Sequence, residues 1–166
     1  MVHSIATINA MNRTTFTQVL SAIFEDTPTI ADQVWPQRPF TDVTELHQEM
    51  ITIVRSMTTQ QQLTLIRSHP DLGSKAKMAV DSIREQSGIG LDRLDKTEYD
   101  RFHNLNQTYR DKFGFPFIIA VKNQTISTIL VAFEQRIQNS VTMEIEQAIA
   151  EICQIARFRL DSTIDL

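Results

Sequence analysis

Apolar side chains recur every three or four residues along most of this chain, the spacing that places them on one face of an α-helix. The repeat predicts six amphipathic helices and two shorter ones. In chain order, the expected positions are Phe16–Phe24, Pro28–Val34, Leu46–Met57, Thr58–Ile66, Ser74–Gln86, Thr97–Phe113, Ile126–Ile137 and Ile145–Ala156. The pattern therefore predicts an all-α fold, in which residues 1–166 form a single domain, an irregular bundle of about eight helices.

Residue types at the predicted helix ends agree with this pattern. Thr27 before Pro28 predicts an N-cap with proline in the first turn, and Thr58 with Gln61 is typical of a capping box. Gly114 is the glycine expected just past a helix C-terminus. The apolar run that follows, Phe117–Val121, predicts an extended segment that is too short to form a sheet.

Composition narrows the class of protein. The chain has four glycines and five prolines in 166 residues, which favours long helices over a turn-rich β fold. Its net charge of −4, without a basic stripe, predicts no nucleic-acid partner. The single Cys153 excludes a disulfide within the chain and is expected to be buried. No long apolar run and no secretory signal pattern are present, so we expect a cytoplasmic protein without a membrane partner.

His69 is the first candidate for chemistry because it directly precedes Pro70. Proline disfavours the α conformation in the residue before it, so His69 should lie at a chain reversal with its ring fixed. An imidazole held in this way near a carboxylate is a candidate proton-transfer group. The alternative is that His69 caps a helix or fills a polar gap.

Ser82, Glu85 and Gln86 are spaced three and four residues apart and share one helix face. They could line a pocket as hydrogen-bonding groups, or they could form a solvated surface. The same helix is expected to bury its apolar residues, Ala76, Ala79, Val80 and Ile83.

Arg159 continues the apolar stripe of the last helix. The inward positions Ile145, Ile149, Ile152 and Ala156 advance by four, three and four, and the next step of three reaches Arg159. A buried guanidinium requires a carboxylate, carbonyl groups or a ligand anion. The alternative is that its long stem lets the charge reach water.

The segment Gly114–Val121 leaves a helix and contains Pro116, so its main-chain groups are not used by a helical ladder. These groups could recognise a ligand, or Phe115 and Phe117 could simply fill the core. The histidines are not spaced as metal ligands, and no phosphate-binding loop, dinucleotide fingerprint or nucleophile elbow is present. We therefore expect no metal site and a reaction without a cofactor.

Together and in this order, these motifs resemble those of the 2-oxo-4-hydroxy-4-carboxy-5-ureidoimidazoline (OHCU) decarboxylases, and the similarity extends over nearly the whole chain. The matching segments are FEDTP (Phe24–Pro28), RPF (Arg38–Phe40), HPDL (His69–Leu72), SIREQSGIGLD (Ser82–Asp92), LNQTYRDKFGFPFIIAV (Leu105–Val121), ILVAFEQRIQN (Ile129–Asn139) and EIEQAIAEICQIARFRL (Glu144–Leu160). The chain departs from the family pattern at Gly73–Lys75 and at Met78–Ala79.

The resemblance implies an all-α, cofactor-free homodimer that converts OHCU to (S)-allantoin in urate degradation. It assigns His69 as the catalytic acid and base, with Glu85 and Arg159 completing one shared site. It also implies that the substrate is bound by Pro70, Ser82, Ile83, Arg84, Glu85, Gln86, Phe117, Ile118, Ile119, Ala120 and Val121. A cyclic-ureide hydrolase and a non-enzymatic helical interaction module are the alternatives.

Overall fold

Every regular element of the computed structural model, which describes residues 2–74 and 80–165, is helical. The α-helices in these ranges are α1 (Ile5–Ala10), α2 (Arg13–Val19), α3 (Thr29–Val34), α4 (Val43–Ser56), α5 (Thr59–Arg67), α6 (Val80–Gly88), α7 (Lys96–Phe113), α8 (Ile126–Arg136) and α9 (Val141–Thr163), with a 3₁₀ turn at Trp35–Gln37. The predicted all-α class is confirmed. The short helix α1 was not predicted.

The chain divides into two compact units. The first comprises Met1–Gln62 and Cys153–Leu166, and the second comprises Leu63–Ile152. The candidate histidine and α6 belong to the second unit, and Arg159 belongs to the first.

The first unit buries one face of each of its longer helices. In α4 the buried residues are Val43, Leu46, Met50 and Val54. Arg38 connects the loops of the first unit. Its guanidinium lies 4.0 Å from the Trp35 ring centroid. The same group donates to the carbonyl oxygens of Asn9 and Met11 at 2.6 and 2.8 Å. One arginine thus satisfies main-chain groups that no helix would pair.

The second unit is built around a cluster of aromatic rings. Tyr109 of α7 contacts Phe113, Phe115, Phe117 and Phe133. The rings of Phe117 and Phe133 are stacked, with centroids 3.8 Å apart and planes inclined by 9°. Because Phe115 and Phe117 are anchored in this cluster, the chain that follows α7 is buried although it forms neither helix nor strand.

A buried ion pair lies beside this cluster. Arg136 donates to Glu144 Oε2 through Nε and Nη2 at 3.1 and 2.9 Å, and to the carbonyl oxygen of Ile118 through Nη1 at 2.7 Å. Glu144 also accepts from Asn139 Nδ2 at 2.9 Å and from the Tyr109 hydroxyl. Burial, reinforced by this bond to Glu144, raises the pKa of Tyr109, so the phenol remains a donor.

Several predicted helix ends are confirmed. Thr58 and Gln61 form a reciprocal capping box, in which Gln61 Oε1 accepts from Thr58 N–H at 2.9 Å. Gly114 ends α7 in the left-handed conformation, with φ of 75°. Cys153 is buried as expected, and burial raises the pKa of its thiol to about 11.

Other predictions at helix ends were wrong. Thr27 does not cap α3, because its hydroxyl donates to the carbonyl oxygen of Glu25 at 2.8 Å and Pro28 takes the N-cap position. The helix expected through Phe24 ends at Val19. Ile23 and Phe24 are nevertheless buried, because the turn that follows directs them inward.

The inward faces of three helices also differ from the prediction. In α6, Val80 and Ile83 are exposed and the polar Ser82 and Gln86 are buried. Ala76 and Ala79 lie outside the described residues. In α7 and α9 the buried positions next to the predicted stripe are Asn106 and Glu144, whereas Leu105 and Ile145 are only half-buried. In each case a polar side chain has a partner inside and takes the place of an apolar one.

We expect Arg136→Met to destabilise the protein by about 3–5 kcal/mol, because it leaves the Glu144 carboxylate buried without its counter-ion. Urea unfolding followed by far-UV circular dichroism measures this loss. Arg13→Met, which removes the exposed pair with Asp32, is the control and should change the midpoint little. Equal effects of the two substitutions would contradict the assigned role of the buried pair.

Candidate functional site

His69 lies in the second unit, two residues after the end of α5, and its side chain is 6% exposed. Its Nδ1 lies 3.0 Å from the carbonyl oxygen of Leu65, and its main-chain N–H donates to Ile66 at 3.2 Å. A carbonyl oxygen can only accept, so Nδ1 carries a hydrogen. The neutral ring therefore presents Nε2 as its basic nitrogen, which is the atom that can exchange a proton with a substrate.

The structural interpretation of His69 is confirmed, and its proton-transfer role stays a prediction. The ring caps a carbonyl group at the end of α5, as the structural alternative proposed. The same bond fixes the tautomer of the neutral ring, with the hydrogen on Nδ1.

The loop after Pro70 is held by two amide side chains. Gln86 Oε1 accepts from the N–H of Gly73 at 2.9 Å, and Asn106 Nδ2 donates to the carbonyl oxygen of Leu72 at 2.8 Å. Gly73 has a φ of 65°, where a side chain would be strained. These bonds tie the HPDL loop to α6 and α7, so His69 leads into a fixed main chain.

Asn106 was missed by the sequence analysis. It lies four residues after Phe102 and three before Tyr109, so the helical period alone places it on the inward face of α7. A polar residue at such a position is a signal for a buried hydrogen bond.

Helix α6 presents a polar face to the interior. Ser82 and Gln86 are buried and Glu85 is half-buried, so the interpretation of Ser82 and Gln86 as a solvated surface is wrong. The side chains of Ile83 and Arg84 are exposed. Any contact that these two residues make with the interior must therefore come from their main chain.

The segment 117–121 lies in the same unit, and all five of its residues are buried. The carbonyl oxygen of Ile118 is bound by Arg136, and the N–H of Ala120 donates to Glu151 Oε2 at 2.8 Å. Both interpretations of this segment are compatible with these contacts, since Phe117 fills the core while other main-chain groups remain outside any helical ladder.

Arg159 is paired in the first unit. Its Nη2 donates to Glu25 Oε2 and its Nη1 donates to the carbonyl oxygen of Ala22, both at 3.0 Å. Because Arg159 is buried, the interpretation that its charge reaches water is wrong. Its partner Glu25 was not identified from the sequence. A site shared by His69, Glu85 and Arg159 stays a prediction.

Within 2–74 and 80–165, no three His, Cys, Asp or Glu side chains are grouped so that they could hold a metal ion. Along the same ranges, no helix combines the length and apolar character that a membrane crossing requires.

These features define an all-α protein with a buried histidine, a helix with a polar inner face and a buried, irregular main-chain segment. A family model described as OHCU decarboxylase matches residues 9–161, and the chain therefore belongs to the OHCU decarboxylase family.

Curated relatives agree with this assignment. A protein from Halalkalicoccus jeotgali named 2-oxo-4-hydroxy-4-carboxy-5-ureidoimidazoline decarboxylase is 41% identical over 154 residues, covering 93% of this chain and 88% of that protein. The Mus musculus protein of the same name is 32% identical over 157 residues, covering 92% and 88%. The uric acid degradation bifunctional protein PucL of Bacillus subtilis is 43% identical over 95% of this chain, which corresponds to 32% of that longer protein.

Solved structures show the same fold. A crystal structure of (S)-allantoin synthase superimposes with a TM-score of 0.81 and 28% identity, covering 98% of this chain and 54% of that chain. This chain therefore spans about half the length of the allantoin synthase. An OHCU decarboxylase crystallised in the presence of (S)-allantoin matches with a TM-score of 0.68 and 24% identity, covering 81% and 89%.

The tautomer of His69 is directly testable. Because Leu65 accepts from Nδ1, we expect a pyrrole-type nitrogen-15 shift at Nδ1 and a pyridine-type shift at Nε2 at alkaline pH, where imidazole is neutral. Nitrogen-15 NMR of histidine-labelled protein measures both shifts. The exposed His103 is the internal reference and should favour the opposite tautomer, as histidine does in water. A pyridine-type Nδ1 at residue 69 would exclude the assigned bond.

Proposed function

We propose that this chain catalyses the cofactor-independent decarboxylation of OHCU to (S)-allantoin in urate degradation. The observation that carries the proposal is the histidine of the HPDL motif, buried and restricted to one tautomer by the Leu65 carbonyl group. Family membership indicates the substrate, and His69 is the group that we propose transfers a proton during the reaction.

The substrate itself can accommodate the electrons of the broken bond. One ring carbon carries both a hydroxyl and a carboxylate and lies next to a C=N bond. When the carbon–carboxylate bond breaks, CO2 leaves and the electron pair passes into the C=N system. The ring nitrogen that receives the pair takes up one proton. The hydroxyl oxygen then loses its proton as its carbon becomes a carbonyl carbon, and the neighbouring carbon takes a proton. The protein must keep the breaking bond perpendicular to the ring and direct the new proton to one face.

His69 is proposed to hydrogen-bond the hydroxyl–carboxylate centre and to transfer the proton through Nε2. Orientation of a bound reactant can contribute roughly 7–11 kcal/mol, and acid–base assistance about 10²–10⁴-fold. Glu85 is proposed to orient the imidazole or to accept from the ureido N–H groups. The proposed contacts with the heterocycle come from Pro70, from residues 82–86 and from the main chain of residues 117–121.

Three further proposals rest on the family resemblance. We propose that the chain acts as a homodimer in the cytoplasm, and that residues 1–166 work as one catalytic domain. The last of these is supported by the family model, which spans 9–161. Sedimentation or light scattering, which reports the mass in solution, tests the dimer.

The function is tested by supplying freshly oxidised urate and following circular dichroism at the allantoin band. Uncatalysed loss of CO2 has no facial preference and gives racemic allantoin, which has no circular dichroism signal. A signal at the allantoin band therefore reports the catalysed reaction, and we expect the wild-type chain to produce (S)-allantoin with release of CO2. His69→Asn should reduce the stereoselective rate by at least about 100-fold while far-UV dichroism is unchanged. The exposed His103→Asn is the matched control and should retain full activity.

Two outcomes would reject this proposal. Substrate consumption above the uncatalysed rate without matching CO2 would support the cyclic-ureide hydrolase. Consumption by the folded wild type at only the uncatalysed rate would support the interaction module. Near-normal turnover by His69→Asn would remove His69 from the mechanism.

We propose that Arg159 pairs with a ligand oxygen or restrains the local carboxylate, and Arg159→Lys tests this role. Lysine keeps the charge but loses the planar donor pair that now serves Glu25 and Ala22, so we expect turnover to fall about tenfold or more. Arg157→Lys on the same helix is the control. Unchanged turnover with a lowered unfolding midpoint would restrict Arg159 to its ion pair with Glu25.

A further inference from the structure

The main chain between Phe117 and Val121 is held at two points by charged side chains. Arg136 of α8 donates to the carbonyl oxygen of Ile118 at 2.7 Å. Glu151 of α9 accepts from the N–H of Ala120 at 2.8 Å. The guanidinium thus binds a carbonyl oxygen, and the carboxylate binds an N–H group. These two main-chain groups belong to the residues on either side of Ile119.

The groups of Ile119 are themselves unpaired within the described part of the chain. Neither its N–H nor its C=O makes a hydrogen bond to residues 2–74 or 80–165, and the residue is 7% exposed. Buried main-chain groups in native proteins are almost always satisfied. One donor and one acceptor on the same residue match the alternating N–H and C=O groups of a urea-like heterocycle.

Both holding side chains are fixed by other bonds. Glu151 Oε1 accepts from Gln147 Nε2 one turn earlier on the same helix, at 3.0 Å. The Arg136 guanidinium is bound by Glu144 and lies 4.3 Å from the centroid of the Phe117 ring. Two restrained side chains therefore determine where the peptide groups between them lie.

We propose that Glu151 and Arg136 are positioning residues, which hold the main chain at 118 and 120 so that the N–H and C=O of Ile119 are presented to the heterocycle of the substrate. This inference rests on the function proposed above and deepens it. It assigns recognition of the ring to Ile119 and to a clamp, formed by Arg136 and Glu151, that lies outside the HPDL and α6 motifs. Glu151 is the better residue to test, since it is only half-buried, whereas Arg136 also carries core stability.

The test compares Glu151→Ala, Glu151→Gln and Glu146→Ala in the full chain. Glu146 lies on the same helix and is exposed, so its substitution matches the loss of charge without touching the clamp. We expect Glu151→Ala to raise KM about tenfold with kcat changed less than twofold, because one restraining hydrogen bond is lost while His69 is untouched. Glu151→Gln retains an acceptor oxygen and should restore KM to within about threefold of the wild type.

Hydrogen exchange at the Ala120 amide provides a measurement that needs no substrate. It should accelerate in Glu151→Ala, and it should keep the wild-type rate in Glu151→Gln and Glu146→Ala. A wild-type KM in Glu151→Ala would overturn the positioning role, as would equal KM changes in Glu151→Ala and Glu146→Ala. Unchanged exchange at Ala120 in Glu151→Ala would overturn the clamp itself. An inactive wild type would instead reject the proposed reaction, and exchange at Ala120 would still decide whether the clamp exists.

Discussion

The buried ion pair between Arg136 and Glu144 is the interaction on which the second unit depends. Removing two charges from water is costly unless each finds a close partner and its remaining hydrogen bonds are made. Here the requirement is met by Tyr109, Asn139 and the carbonyl oxygen of Ile118, which come from α7, from the turn before α9 and from the irregular segment. These pieces must be in place together, because the loss of one leaves a charge poorly solvated.

This dependence couples the core to the candidate site. The group that neutralises Glu144 also binds the main chain at Ile118, and the ring of Phe117 lies against the same guanidinium. A segment without regular hydrogen bonding would ordinarily be among the least stable parts of a fold. The ion pair and the aromatic stack hold this segment in place without the hydrogen-bond ladder of a helix, and the N–H and C=O of Ile119 make no hydrogen bond to the described residues.

The helical architecture could be predicted from the sequence because it follows from local rules. Burial of one face fixes the period of three to four residues, and caps such as Thr58 and Gly114 are specified within a single turn. The position of His69 at a chain reversal was equally accessible, since Pro70 restricts its neighbour directly. The apolar spacing does not reveal a helix end when the turn that follows keeps the same spacing. For that reason Ile23 and Phe24 were predicted to lie inside a helix that in fact ends at Val19.

The polar interior could not be predicted in the same way. Glu25 and Arg159 are 134 residues apart in sequence, so their pairing follows from the tertiary fold and from no local pattern. In α6 the interior is formed by Ser82 and Gln86 because Gln86 has a partner in Gly73, and the apolar Val80 and Ile83 lie outside. Hydrophobicity predicts the buried face only where no specific hydrogen bond competes for it.

The bond from the His69 ring to Leu65 spans only four residues of the chain. Its acceptor is therefore delivered by the last turn of the helix that precedes the histidine. The ring consequently has Nδ1 committed to its own backbone. In the proposed reaction the proton moves through Nε2 alone, so it is returned from the position at which it was taken up, and this restricts the directions from which a carbon centre can be protonated.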